Sequence, residues 1–333
     1  MPGLDARTGF PIVAALFICC LFIAPEVLAE SVDVQTTPVE LNTDDQSQRQ
    51  IGKLIFQGGF AMTSAKKNFG GLSGLHIDRD GRRLLAVTDT GYWLTASLQY
   101  DALGNLSGID KVKMSKLRDP SGKKISGKKK ADSEAIELIA GGLVISFERN
   151  HRLWRYQPED GSPKGPAAEI PVPAQVKDAP GNGGLEAITE LADGRLLIVT
   201  EGWRDNDDSL RGWLRVGKGA DADWSTVSYA TTEDFLPTDF ARLPSGDLLA
   251  LERRYTPVTG PAARLQIVKA GDIHANTVIR GREIAQIWLP LTVDNMEGVA
   301  VVIRGDETFI YLVSDDNFSS FQRSLLLMFK LIE

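Results

Sequence analysis

Residues 184–203 read GLEAITELADGRLLIVTEGW, and the same grammar returns four more times along the chain. The other copies are GLSGLHIDRDGRRLLAVTDTG (71–91), DSEAIELIAGGLVISFERN (132–150), PTDFARLPSGDLLALERRY (237–255) and NMEGVAVVIRGDETFIYLVSDDN (295–317). Each opens on a small or acidic residue and continues as a short apolar strand. A turn such as Asp80-Gly81, Asp193-Gly194 or Ser245-Gly246 follows. Glycine accepts the positive φ that tight hairpin turns require, so these dipeptides predict hairpins. The next strand is nearly all apolar and ends in a carboxylate: Asp89, Glu148, Glu201, Glu252 or Asp315. A strand apolar on both faces is covered on both sides, as in a propeller blade held between neighbours.

The repeats recur about every 50–60 residues, one four-stranded blade with long loops. Long 3.6-residue periodicity is missing. The expected fold is therefore all-β: a single β-propeller of about six four-stranded blades. The sixth would be built from both ends, IGKLIFQGGFAM near residue 51 pairing with LLLMFKLI at the C-terminus. Such pairing hides edge strands that otherwise invite aggregation.

Ahead of the repeats, residues 1–29 read as a signal peptide: Arg7, an apolar run from Phe10 to Ala24, and small residues before a cut after Ala29. The run is short for a membrane span. Both cysteines, Cys19 and Cys20, lie in it, so the mature chain carries none; lipidation there would need small residues where Phe17 and Ile18 stand. Residues 30–49 are polar and aperiodic, a flexible lead-in or a first edge strand, and 50–333 form the propeller domain. The expected location is periplasmic or secreted, without a stable membrane span, and the expected state is a monomer.

The repeat also places charges. In an antiparallel hairpin the start of one strand lies beside the end of the next. The opening residues (Ser73, Glu134, Glu186, Asp239, Glu297) and the closing ones (Asp89, Glu148, Glu201, Glu252, Asp315) should therefore form two rings at one end of the propeller. Crowded carboxylates raise one another's pKa or recruit a cation. All-oxygen donor sets without Cys or His select hard cations, Ca²⁺ above all. The metal-ligand candidates are Asp89, Glu134, Glu148, Glu201, Asp239, Glu252, Asn295, Asp315 and Asp316. The catalytic candidates are Glu186, Glu297 and Arg253, with Arg149, Arg204 and Arg254 as further neutralising cations. Asp294 and Asn295 open the last repeat, which Asp316 and Asn317 close.

A net charge of −7 argues against a nucleic-acid partner and leaves cations as natural ones. With three histidines and no G-x-S-x-G elbow, a serine hydrolase is disfavoured; Ser73 and His76 are the nearest approach to a pair. Phosphate-loop, dinucleotide, zinc and EF-hand signatures are absent. Trp93 and Trp203 are either packing residues or a substrate platform near the mouth. The basic run SGKKISGKKK (121–130) reads as an exposed loop or as an anion-gathering lip.

Taken together, GLSGL…LLAVTDTG, DSEAIE…ISFERN, NGGLEAIT…VTEGW, TDFARL…LALERRY and DNMEGV…YLVSDDNF resemble the exported phytase-like family, also called "esterase-like activity of phytase", from about residue 50 onward. The resemblance implies a β-propeller, export, and hydrolysis of phosphate esters or other esters. Two functions stay open. One is a metal-dependent hydrolase taking a small anionic ester through its metal. The other is a non-catalytic propeller whose acidic mouth binds Ca²⁺.

Overall fold

The computed structural model describes residues 29–217 and 223–332. The signal-peptide reading of residues 1–28 lies outside them. Among the described residues no helix is long and apolar enough to cross a membrane. Helix among the described residues is confined to Lys128–Ala131 and two 3₁₀ turns.

Among the described residues strand pairing builds five antiparallel four-stranded units, the third extended by a short parallel strand, Val278–Ile279. The first runs Leu72–Ile77, Arg83–Thr88, Tyr92–Tyr100 and Leu106–Lys116. The second is Ser133–Ile139, Gly142–Phe147, Arg152–Tyr156 and Ala168–Ile170. The third is Leu185–Glu190, Leu196–Arg204, Leu210–Val216 and Asp223–Tyr229, and the fourth Leu236–Arg242, Leu248–Thr256, Gly260–Val268 and Gly281–Trp288. The fifth joins Asn295–Arg304, Glu307–Asp315 and Ser324–Leu331 to the N-terminal strand Leu54–Thr63, which pairs antiparallel with Ser324–Leu331. One parallel bridge, Gly58 to Leu106, links this strand to the outer edge of the first unit.

The first strands of the units touch in a cycle, each meeting those of the units before and after it. Five apolar cores fill the five gaps between neighbouring units. Leu249, Leu251 and Ile287 of the fourth unit, for example, pack with Ile310, Leu312 and Leu327 of the fifth. This is why the second strands are apolar on both faces: Gly142–Phe147 is buried at every residue because one face meets the first unit and the other meets the third. Each fully buried Leu or Ile there contributes about 1.5–3 kcal/mol over exposure.

The expectation of about six units is corrected to five. The last repeat and the C-terminal strand were assigned to separate blades, but they occupy one sheet, and the N-terminal strand is its fourth member. The long spacing is taken up by loops. Within residues 30–49, Gln35–Pro38 pairs with the edge of Leu54–Thr63, and Glu30–Ser31 with Leu106–Lys116.

Candidate functional site

Every first strand breaks register with its second strand near its start. In the third unit Leu185 pairs with Thr200 and Ala187 with Val199, so Glu186 is an extra, bulged residue. Glu297 is bulged in the same way between Met296 and Gly298. Glu134 lies in the corresponding irregularity of the second unit and Ser73 in that of the first. Bulges re-aim a side chain out of the pleat. On the facing side Asp89 and Glu148 come just past their second strands, while Glu201 lies within its strand and Asp315 ends its own; each follows a residue paired to the first strand.

All of these except Ser73 line one cavity of about 660 Å³. Among the described residues its wall holds nine carboxylates (Asp89, Asp132, Glu134, Glu148, Glu186, Glu201, Asp294, Glu297 and Asp315) against Lys128, Arg149, Arg253 and Arg254. Asn295 lines it too, its amide donating to Glu297 Oε1 at 2.6 Å.

One side of the cavity suits a cation. Asp132, Glu134 and Glu148 each offer an oxygen within 4.8 Å of the other two. Two oxygens that each lie 2.3–2.6 Å from one Ca²⁺ are at most about 5 Å apart. Asp132 is ion-paired with Arg149. Glu148 Oε1 accepts the backbone N–H of Gly183 and of Gly184, the latter at 3.1 Å. Gly184 must lack a side chain, because a Cβ would stand 2.1 Å from the His151 ring. Asp89 Oδ1 is buried with no hydrogen-bond partner, the kind of orphan a bound cation would satisfy. The buried acidic cluster could thus hold a metal ion, and its all-oxygen donors fit a hard one.

The other side is organised by a cation already in place. Arg253 ion-pairs with Glu201 at 2.6 Å and with Glu297 at 3.0 Å. Between the two sides, Glu134 and Glu186 accept no hydrogen bond and form no ion pair among the described residues. Burial pushes both carboxyls well above the usual range, and the surrounding carboxylates add to it. Burial likewise lifts Asp89 to about 6, Asp315 to about 7 and Glu297 to about 8, the last against the opposing pull of Arg253. Arg253 is itself held more firmly protonated by Glu297 and Glu201, which outweigh its burial.

Three expected ligands stand elsewhere. In the fourth unit Pro237 pairs with Glu252 and Asp239 with Leu251, so the bulged residue is Thr238 and the residue that follows its flanking pair is Arg253, itself paired with Leu236. Asp239 and Glu252 are each one position out of register, and a one-residue slip turns a strand side chain to the opposite face. Asp239 is buried and accepts from Phe240 N and Val299 N, both at 2.9 Å, pinning the fourth unit to the fifth. Glu252 is buried on the far face, ion-paired with Arg264 and accepting from Tyr229 Oη and Gln266. Asp316 holds a loop instead, accepting from Gly71 N at 3.0 Å and Phe318 N at 3.1 Å.

Asp132 is the ligand candidate that sequence reasoning missed. It precedes its strand, and its carboxylate meets Arg149 at the cavity wall. The cavity also has an aromatic lip, Tyr255 (68% exposed) and Phe321 (95% exposed). Trp93 is instead buried in the core between the first and second units, and Trp203 packs edge-on against Trp213. Ser73 and His76 form no pair: Ser73 Oγ donates to Gly71 O, and His76 faces Asp78 at 3.7 Å.

The profile of the phytase-like family, described as esterase-like activity of phytase, matches residues 67–318. No curated protein sequence matches the chain. Among solved structures, it is similar to a protein provisionally called a gluconolactonase, with 11% identity, 91% of this chain and 90% of that chain covered, and a TM-score of 0.46. It is also similar to the PQQ-bound aldose sugar dehydrogenase of Streptomyces coelicolor (13% identity, 82% and 98% covered, TM-score 0.40). A third is the β-propeller domain of Cps50 (Swd1) from Myceliophteria thermophila (12% identity, 88% and 98% covered, TM-score 0.36).

Proposed function

The chain belongs to the phytase-like family, and from that membership and its acidic cavity we propose that it is a metal-dependent hydrolase of esters, phosphate esters first. The domain is a five-bladed propeller closed by its N-terminal strand, exported through the leader 1–29 to the periplasm or beyond, and monomeric. The observation that carries the reading is the two-sided cavity. The trio Asp132, Glu134 and Glu148 faces an arginine held by Glu201 and Glu297, with the unpaired Glu186 between them.

Asp132, Glu134 and Glu148, with Asp89 beside them, would hold Ca²⁺; when bound, the ion supplies Lewis-acid polarisation of a substrate oxygen and lowers the pKa of a water. Arg253 presents a guanidinium to the anionic group, its direction fixed by Glu297 and Glu201. Glu186 is kept protonated by burial and crowding, as a general acid must be. It gives its proton to the departing ester oxygen as water adds to phosphorus or to the acyl carbon. It then recovers a proton from that water. Tyr255 and Phe321 face the organic part of the substrate.

A panel of phosphate and carboxylic esters, assayed on purified protein with and without EDTA, tests this. Turnover lost in EDTA and restored by Ca²⁺ is expected. No turnover on any ester, with Ca²⁺ still raising the melting temperature, would leave a non-catalytic cation-binding propeller.

A further inference from the structure

The basic run 121–130 is not a free loop. Leu117, Ile125 and Ala131 are buried in the core with Phe147, Trp154 and Tyr156. Ile125 N bonds Leu117 O at 3.0 Å, and Asp119 N bonds Lys123 O at 2.8 Å. The Asp119 carboxylate is turned onto its own loop, accepting from Ser121 and from Lys123 N. So fixed, the loop walls a second cavity of about 380 Å³, lined by Lys123, Lys124, Lys130, Arg152 and Trp154, with Asp119 as its one carboxylate.

Arg152 is the anomaly in that wall. Its guanidinium carbon lies over two rings set edge to face, 3.9 Å from the centroid of Phe147 and 4.1 Å from that of Trp154. Among the described residues its terminal nitrogens donate only to the carbonyls of Asn150 and Lys130. Among the described residues neither Arg152 nor Lys123, Lys124 or Lys130 is within ion-pair distance of a carboxylate, although the chain as a whole carries −7. Burial draws the arginine down to about 10 against the weaker opposing pull of Tyr156 and Glu169, the cost of a half-buried cation with no carboxylate in contact. Four cations line the cavity against the single carboxylate of Asp119, which its own loop already occupies; the excess matches a doubly charged tetrahedral oxyanion.

We propose that this second cavity binds a phosphate group, separately from the acidic cavity. The two share a thin wall: Lys128 and Arg149 face the acidic cavity, and Lys130 and Asn150 face this one. The occupant is either free phosphate or a second phosphate on a substrate held in the mouth. The site itself does not depend on the hydrolase reading.

Titration calorimetry of inorganic phosphate into the full chain in EDTA and low salt tests it without any turnover. Saturable binding is expected, weakened at least tenfold in the Lys123→Gln/Lys124→Gln variant and in Arg152→Gln, and unchanged in Glu134→Gln/Glu148→Gln. Arg152→Gln disturbs a stacked core residue, so the exposed lysine pair decides the matter. Absent saturable binding, or binding indifferent to the lysine pair, would overturn the proposal. With Ca²⁺ present, fructose 1,6-bisphosphate is then compared with fructose 6-phosphate. An excess affinity for the bisphosphate that vanishes in Lys123→Gln/Lys124→Gln identifies a substrate phosphate. Equal affinities, each lost in that variant, identify free phosphate.

Discussion

Arg253 ion-pairs with Glu297, Nε to Oε1 at 3.0 Å, across the seam between the fourth and fifth units. Its other arm reaches Glu201 of the third unit at 2.6 Å. One cation thus ties three units together at the mouth, in the place where the other units carry a carboxylate.

Arg253→Gln should therefore destabilise the protein chiefly where the carboxylates are ionised. Removing one partner of a buried pair costs roughly 3–5 kcal/mol. The figure here belongs at or below the lower end, because 28% of the Arg253 side chain is exposed. Urea denaturation in EDTA should show a clear loss at pH 8 and a smaller one at pH 5, where Glu297 can take a proton. Equal losses at both pH values would mean that the pair is not the source.

The sequence repeat was enough to locate the first two strands of all five units and one end for most of the carboxylates. It failed at two points, for different physical reasons. Leu54–Thr63 and Ser324–Leu331 pair as the sequence reading expects, but apolar patterning does not show that the last repeat shares their sheet, so the unit count comes out one too high. The fourth repeat was misaligned because its bulge carries Thr238, not an acid. The nearest acid, Asp239, was taken in its place, and Glu252 was taken for Arg253. The signal is present: PTDFARL aligned with Phe240 opposite Ile188 puts Thr238 opposite Glu186. Asp132 was passed over because a residue outside a strand has no face to be read from periodicity.

Glu252→Gln tests that realignment. It would leave Arg264, whose side chain is 4% exposed, without its carboxylate, and weaken the acceptor for Tyr229. A loss of about 3 kcal/mol or more is expected, seen as a lower denaturation midpoint, with the Ca²⁺ response of the melting temperature intact. A variant as stable as the parent but deaf to Ca²⁺ would put Glu252 back in the metal site.

Stability without metal should fall as pH rises. Asp89, Asp315 and Glu297 have folded-state pKa values raised to about 6, 7 and 8, above ordinary unfolded values near 4. Between those limits the folded state binds more protons than the unfolded one, so the slope of unfolding free energy against pH is negative. The contribution is complete below about pH 4 and gone above about pH 8. Melting temperatures in EDTA should be higher at pH 5 than at pH 8. A rising or flat profile would show these carboxylates to be compensated by cations in the folded protein.

Calcium should reverse that slope, because only ionised carboxylates ligate it. A cation that binds the folded chain alone stabilises it by about 2.7 kcal/mol at a hundredfold excess over its dissociation constant. The gain should grow from pH 5 to pH 8, as Asp89 and its neighbours give up their protons. Glu134→Gln/Glu148→Gln isolates the ligands, since glutamine at 148 keeps an acceptor for the Gly183 and Gly184 N–H groups. That double variant should melt at or above the parent in EDTA at pH 8, because two crowded charges are gone. It should gain little on adding Ca²⁺. Magnesium, smaller and bound to a stricter octahedron, should stabilise the parent less than Ca²⁺ does. A parent indifferent to both ions at pH 8 would assign the carboxylates to Arg149 and Arg253 alone and remove the metal from the mechanism.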